Sequence, residues 1–123
     1  MTTPNPPTPD ARQPTQHVET ALAHYDQHRD AHIEALKALV RIPSVSFDGY
    51  DPANVKRSAK ATAAWLREAG MPTVEIWELP GTHPCVFAEW KLPAEAPGAA
   101  GAPTLLLYAH HDVQPPMREA LWT

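Results

Sequence analysis

The sequence predicts an α/β fold built from two N-terminal helices, a β-hairpin and a buried strand. Apolar residues return with the period of an amphipathic helix over residues 15–41 and again over 52–69. They alternate between two faces over residues 73–79, and they run without a break over 104–109, which is typical of a strand covered on both faces. The order of these segments indicates a sheet with helices packed against it.

The first 14 residues differ in composition from the rest. They contain five of the 15 prolines, accompanied by Thr, Asn, Asp and Gln, and offer almost no apolar side chain. Such a segment cannot bury enough surface to offset the entropy that it would lose on ordering. Residues 1–14 are therefore predicted to be a disordered, proline-rich tail, and the structured part of the chain is predicted to begin at residue 15.

Each predicted helix has recognisable end signals. The first helix should stop at residues 41–42, because Pro43 disfavours helical geometry in its predecessor and has no N–H to donate. The second should begin after Asp51, an N-cap residue that Pro52 follows at the first helical position. Gly70 suits the left-handed conformation that often ends a helix, so this helix should stop there.

A β-hairpin is predicted between the second helix and the buried strand. Its strands cover residues 73–79 and 85–90, and the turn between them contains Pro-Gly, which favours antiparallel pairing. Residues 93–103 are small and punctuated by proline. We expect them to form a surface loop without a functional role.

The composition excludes several classes of protein. A chain with 43% hydrophobic and 20% charged residues is neither collagen-like nor disordered throughout. A net charge of −4 without a Lys/Arg cluster argues against nucleic acid as a partner. The single cysteine, Cys85, cannot form an internal disulfide and is expected to pack as a small hydrophobe. With neither a membrane-spanning stretch nor a signal-peptide pattern, the sequence predicts a cytoplasmic protein without membrane contact.

Polar residues follow the predicted buried strand directly. In the sequence His110-His111-Asp112, strand alternation places His110 and Asp112 on one side and His111 on the other. A neutral imidazole is a good zinc ligand, and a carboxylate two residues on can accept its second N–H or bind metal itself. Spacing alone leaves a second interpretation open, in which both side chains hydrogen-bond to loop backbone.

Three motifs follow one another along the chain in a characteristic order. The segment 105–115 (LLLYAHHDVQP), with Leu-Trp at 121–122, is similar to the strand-and-loop signature of the M20 family of metallopeptidases, and particularly of its dipeptidase-like branch. The segment 41–46 (RIPSVS) resembles the loop after the family's first helix, and 65–70 (WLREAG) resembles the end of its second. The resemblance extends over residues 18–123.

This resemblance implies a zinc-dependent hydrolase that cuts amide bonds in dipeptides or other small peptides, with two zinc ions bridged by water or hydroxide. By position, His110 would be a zinc ligand and Asp112 the catalytic-site carboxylate that orients it. His111 occupies a variable position of the family motif and is not assigned as a ligand. Ala109 stands where the family most often has glycine.

The resemblance also implies that the zinc site is incomplete within this sequence. The family's bridging aspartate, its glutamate general base and its remaining ligands come later in the chain than Thr123. Residues 15–123 are therefore expected to be the N-terminal part of a larger α/β metallopeptidase catalytic domain, inactive alone and compatible with a homodimer when complete. Two alternatives stay open: a deacylase or deacetylase of N-acyl amino acids from the same family, and a non-catalytic α/β binding or structural domain.

Two further groups of residues carry polar chemistry. His24, His28 and His32 are four residues apart, which suits metal chelation between helical turns or, as the favoured interpretation, a solvated helix face. Ser44 and Ser46 lack the frame of a hydrolase nucleophile and are expected to form local hydrogen bonds within their loop.

Overall fold

A computed structural model describes residues 16–97 and 99–122. The tail predicted at residues 1–14 lies outside this range. The chain divides into two units, Met1–Ala35 and Leu36–Thr123. Its elements, in order, are helix α1 (Gln16–Val40), helix α2 (Pro52–Glu68), strands β1 (Thr73–Trp77) and β2 (Cys85–Glu89), and a short 3₁₀ helix (Glu119–Leu121). None of the helices in the described part of the chain has the length and apolar character needed to cross a membrane.

Helix α1 forms where the helical period predicts it. Its final turn is tighter than the rest of the helix just before Pro43. There the N–H of Ile42 donates to the carbonyl of Leu39 at 3.1 Å, three residues back rather than four. The predicted end is thus confirmed to within one or two residues. No residue of α1 is buried. Its apolar stripe lies at the surface and consists of Val18, Leu22, Tyr25, Ile33, Leu36 and Val40.

Helix α2 has the caps that its sequence predicts. The carboxylate of Asp51 accepts a hydrogen bond from the N–H of Ala53 at 2.9 Å, and Pro52 takes the first helical position. At the other end Gly70 has a φ of 87°, which is left-handed and suits a residue without a Cβ. The N–H of Met71 then reaches back to the carbonyl of Leu66 at 3.1 Å, closing a Schellman motif.

The predicted hairpin is confirmed as a two-stranded antiparallel sheet. β1 and β2 pair so that Val74 faces Ala88 and Ile76 faces Val86. Directly paired residues share a face, so these four apolar side chains lie together, and all are half-buried. The opposite face exposes Trp77, whose ring stacks on Phe87 with the ring centroids 4.6 Å apart.

A small core joins α2, the sheet and the loop before α2. Helix α2 contacts both strands. Among the described residues, Val45, Val55, Ala59 and Ala63 are buried at 4% exposure or less, and Pro84 is buried as well. Two serines, Ser44 and Ser58, are completely buried among them. The described residues therefore form a small α/β fold whose core includes two hydroxyl groups that must find hydrogen-bond partners.

The prediction of a buried strand over residues 104–109 is wrong. These residues are not paired as a strand, and the side chains of Leu106 and Tyr108 are 86% and 90% exposed. A strand buried on both faces needs neighbouring strands for its backbone and packed layers for its faces. Within the described residues the sheet has two strands, which pair with one another. Cys85 is likewise exposed rather than packed inside.

Candidate functional site

The polar segment that follows residues 104–109 is held to the core by hydrogen bonds. Ser58, which is fully buried in α2, donates its hydroxyl to the carbonyl oxygen of His111 at 2.6 Å. The hydroxyl of Ser44 approaches the same oxygen at 3.4 Å, and the N–H of Val113 donates to the carbonyl of Ser44 at 3.2 Å. These bonds come from the loop before α2 and from α2 itself. They hold residues 111–113 in place without a strand.

The side chains of His110 and Asp112 are in contact, as expected for two groups that share one site. Nδ1 of His110 lies 3.0 Å from Oδ1 of Asp112 and also 3.0 Å from its backbone carbonyl oxygen. The chain bends at Asp112, and this bend, rather than the spacing of an extended strand, brings the carboxylate to the imidazole. The imidazole is 67% exposed and the carboxylate 23% exposed.

These contacts determine which nitrogen of His110 can bind a metal. A carboxylate and a carbonyl oxygen only accept hydrogen bonds, so Nδ1 must carry the proton that they share. In the neutral ring, Nε2 then carries the lone pair that can bind a metal ion. This is the arrangement of many metal-bound histidines, in which an oxygen acceptor holds the second ring nitrogen.

Asp112 also receives a hydrogen bond on its other oxygen. The hydroxyl of Ser46 donates to Oδ2 at 2.6 Å. This bond lowers the pKa of the Asp112 carboxyl below its ordinary value, and the contact with His110 lowers it further, against the opposing effect of partial burial. Both carboxylate oxygens are thus engaged, and the group is ionised at neutral pH.

His111 turns to a different set of partners from its neighbour. Its Nε2 lies 3.1 Å from the carbonyl oxygen of Pro84, directly before β2, and its Nδ1 lies 3.3 Å from the hydroxyl of Ser58. The ring is therefore engaged between α2 and the start of β2. The structure thus places His111 away from the contact between His110 and Asp112.

The other histidine group lies on α1. The rings of His24 and His28 stack with centroids 4.2 Å apart, and His32 lies 6.4 Å from each of them. Nδ1 of His28 donates to the carbonyl oxygen of His24 at 2.8 Å. His24 and His28 are exposed, and His32 is half-buried. Nowhere in residues 16–97 and 99–122 are three or more His, Cys, Asp or Glu side chains grouped so that they could hold a metal ion.

The serines around the site were missed by the sequence reasoning. The expectation that Ser44 and Ser46 hydrogen-bond within their own loop is wrong, because their hydroxyls bond to residues 67 and 66 positions away, respectively. Their alternation in Ser-Val-Ser was an available signal, because residues two apart in an extended segment point the same way. Ser58 interrupts the apolar stripe of α2 three residues after Val55, which is a second signal of a buried hydroxyl with a partner.

The donor set fits one position of a zinc site. Zinc takes three or four protein ligands, and the described residues offer Nε2 of His110 with its orienting carboxylate. Comparisons with known protein families, with curated proteins and with solved structures found no match to this chain.

Proposed function

We propose that this chain supplies one zinc ligand, His110, and its orienting carboxylate, Asp112, to the active site of a hydrolase that cuts amide bonds in small peptides. The observation that carries the proposal is the 3.0 Å contact between Nδ1 of His110 and Oδ1 of Asp112. It leaves Nε2 of the neutral ring available as a ligand. The resemblance of residues 105–115 to the M20 metallopeptidase signature supplies the reaction class.

The chain's own residues have defined tasks in this proposal. His110 presents Nε2, and Asp112 keeps the proton on Nδ1 and places negative charge beside the ring, which makes the imidazole a stronger ligand. Zinc, when bound, would lower the pKa of a coordinated water and polarise the scissile carbonyl. Two zinc ions are expected in the complete protein, with the general base and the other ligands coming from outside these 123 residues.

The exposed segment before the site supports an incomplete domain. The side chains of Leu105, Leu106 and Leu107 are between 81% and 86% exposed, and that of Tyr108 is 90% exposed. A contiguous apolar run of this kind is unusual on the surface of a finished domain and marks a contact with further protein. We propose that additional chain covers residues 105–108 and brings the missing zinc ligands to His110.

A non-catalytic role is the second candidate, and the contacts of His111 favour it. This residue and two buried serines tie residues 111–113 to α2 and to the start of β2. Hydrogen bonds of this kind need have no role beyond closing a loop. In that case His110 and Asp112 would cap the loop end without binding metal.

Zinc content and hydrolysis, measured on the longer polypeptide that the proposal requires, decide between these candidates. We expect bound zinc and turnover of dipeptides, with N-acetyl amino acids tested in parallel because the same chemistry would serve them. His110→Ala should lose both, whereas His24→Ala, which removes another exposed histidine, should keep both. The 123-residue chain with added Zn²⁺ should hydrolyse neither substrate. Zinc and activity that survive His110→Ala would refute the proposal.

A further inference from the structure

Residues 44–46, part of the RIPSVS motif, reach the candidate site through the hydroxyl of Ser46. This hydroxyl donates to Oδ2 of Asp112 at 2.6 Å, the shortest of the site's side-chain bonds together with that of Ser58. Ser46 is half-buried and its own backbone carbonyl is held by Nε2 of His83 at 3.0 Å. The donor is therefore fixed at both its backbone and its side chain.

The bond restricts how the Asp112 carboxylate can turn. A carboxylate rotates readily about its last side-chain bond unless both oxygens are engaged. With Oδ2 held by Ser46, Oδ1 is directed at Nδ1 of His110. We propose that Ser46 is a positioning residue: through Asp112 it holds His110 as the Nδ1–H tautomer, with Nε2 open. The link to zinc rests on the proposed function, whereas the tautomer does not.

The neighbouring histidine supplies an internal reference. Nε2 of His111 faces the carbonyl of Pro84, which can only accept, so in the neutral ring the proton must be on Nε2. Two adjacent histidines are thus held in opposite tautomers. Neutral histidine in water favours the Nε2–H form, so the unusual member of the pair is His110, and its state depends on the acceptors near Nδ1.

Ring-nitrogen NMR of the 15N-labelled 123-residue chain, recorded where both rings are neutral, tests the proposal. In the wild type, His110 should be mainly Nδ1–H and His111 mainly Nε2–H. Ser46→Ala should lower the Nδ1–H fraction of His110 and leave His111 unchanged. The loss should be partial, because the backbone carbonyl of Asp112 also accepts from Nδ1. Asp112→Ala should lower the Nδ1–H fraction of His110 further. Ser46→Thr, which keeps the hydroxyl, should restore the wild-type ratio of the two tautomers.

Three results would overturn the positioning role. They are an unchanged His110 ratio in Ser46→Ala, an equal disturbance of His111 in that variant, and a failure of Ser46→Thr to return the ratio towards the wild type. In the longer polypeptide, Ser46→Ala should weaken zinc binding by ~3–10-fold, at or below the lower end of the ~10–100-fold typical of a ligand's direct partner. If the tautomers behave as expected and the longer polypeptide binds no zinc, the proposed function fails and the positioning role stands.

Discussion

Residues 105–108 and 110–113 are neighbours in the chain, yet they differ in how far contacts with the rest of the protein fix them. The first segment is apolar and almost fully exposed. The second is polar, and its His111 carbonyl, its Val113 N–H and all three of its ionisable side chains have hydrogen-bond partners. Hydrogen bonds are directional and a few of them suffice to fix a segment, whereas apolar side chains are fixed only by a surface that covers them. Polar contacts therefore position residues 110–113, whereas residues 105–108 lie exposed beside them.

Within the polar segment, His110 is expected to bind the metal, Asp112 to orient that ligand, and His111 to anchor the segment to the core. In the longer polypeptide, His110→Ala should lower kcat/KM by more than ~100-fold, beyond the ~10–100-fold expected for Asp112→Asn. Asp112→Asn keeps the size of the side chain but loses the anionic acceptor, so more zinc should remain bound than in His110→Ala. Zinc stoichiometry and kcat/KM on the same preparations provide the measurement.

His111→Ala completes this series and should behave differently. Its Nε2 bonds to the carbonyl oxygen of Pro84 rather than to the candidate ligand, so zinc content should stay near the wild-type level. The free energy of unfolding should fall by ~1–3 kcal/mol, because buried polar atoms lose partners. If His111→Ala lost zinc while His110→Ala kept it, the assignment of the two histidines would be reversed.

The anchor itself can be broken from the side of α2. Ser58→Ala removes the 2.6 Å donor to the His111 carbonyl and should lower the free energy of unfolding by ~1–3 kcal/mol. Ser44→Ala is the matched control, since its hydroxyl is equally buried but lies 3.4 Å from the same oxygen, and it should cost under ~1 kcal/mol. Urea unfolding of both variants gives the two values. Equal costs would mean that the shorter bond of Ser58 holds the His111 carbonyl no more strongly than that of Ser44.

Local signals predicted the elements of the fold, and contacts between distant residues escaped prediction. The N-cap at Asp51 and the left-handed conformation of Gly70 depend on residues a few positions away, so the ends of α2 could be predicted from the sequence. The bond from Ser58 to His111 spans 53 positions and leaves no local pattern. The proximity of His110 and Asp112 was anticipated from strand alternation, but a bend produces it. The apolar run at 104–109 was misread because burial depends on what surrounds a segment, which its own residues do not encode.

A smaller effect is expected from the ionisation of Asp112. The hydrogen bond from Ser46 and the contact with His110 lower the pKa of this carboxyl in the folded chain. A lowered pKa adds stability that is present above the ordinary value of about 4 and is lost as pH falls through the folded value. The wild type should therefore lose its advantage over Asp112→Asn below about pH 4. Thermal unfolding of both proteins across this range tests it, and a constant difference would contradict the lowered pKa.

The smallest effect is expected in the apolar segment. Leu106 is 86% exposed, so Leu106→Ser removes almost no buried area and should change the free energy of unfolding of the 123-residue chain by less than ~0.5 kcal/mol. Val55, at 1% exposure, is the matched apolar residue of the core, and Val55→Ala should cost ~1–3 kcal/mol through lost burial and a small cavity. Urea unfolding of both variants compares the loss in free energy of unfolding at residues 105–108 with the loss in the core. A cost for Leu106→Ser close to that of Val55→Ala would show the segment to be covered in solution, and the contrast with residues 110–113 would then disappear. In the longer polypeptide the expected order of the two variants reverses. Residues 105–108 are proposed to be covered there, so Leu106→Ser should lower the free energy of unfolding by more than Val55→Ala does.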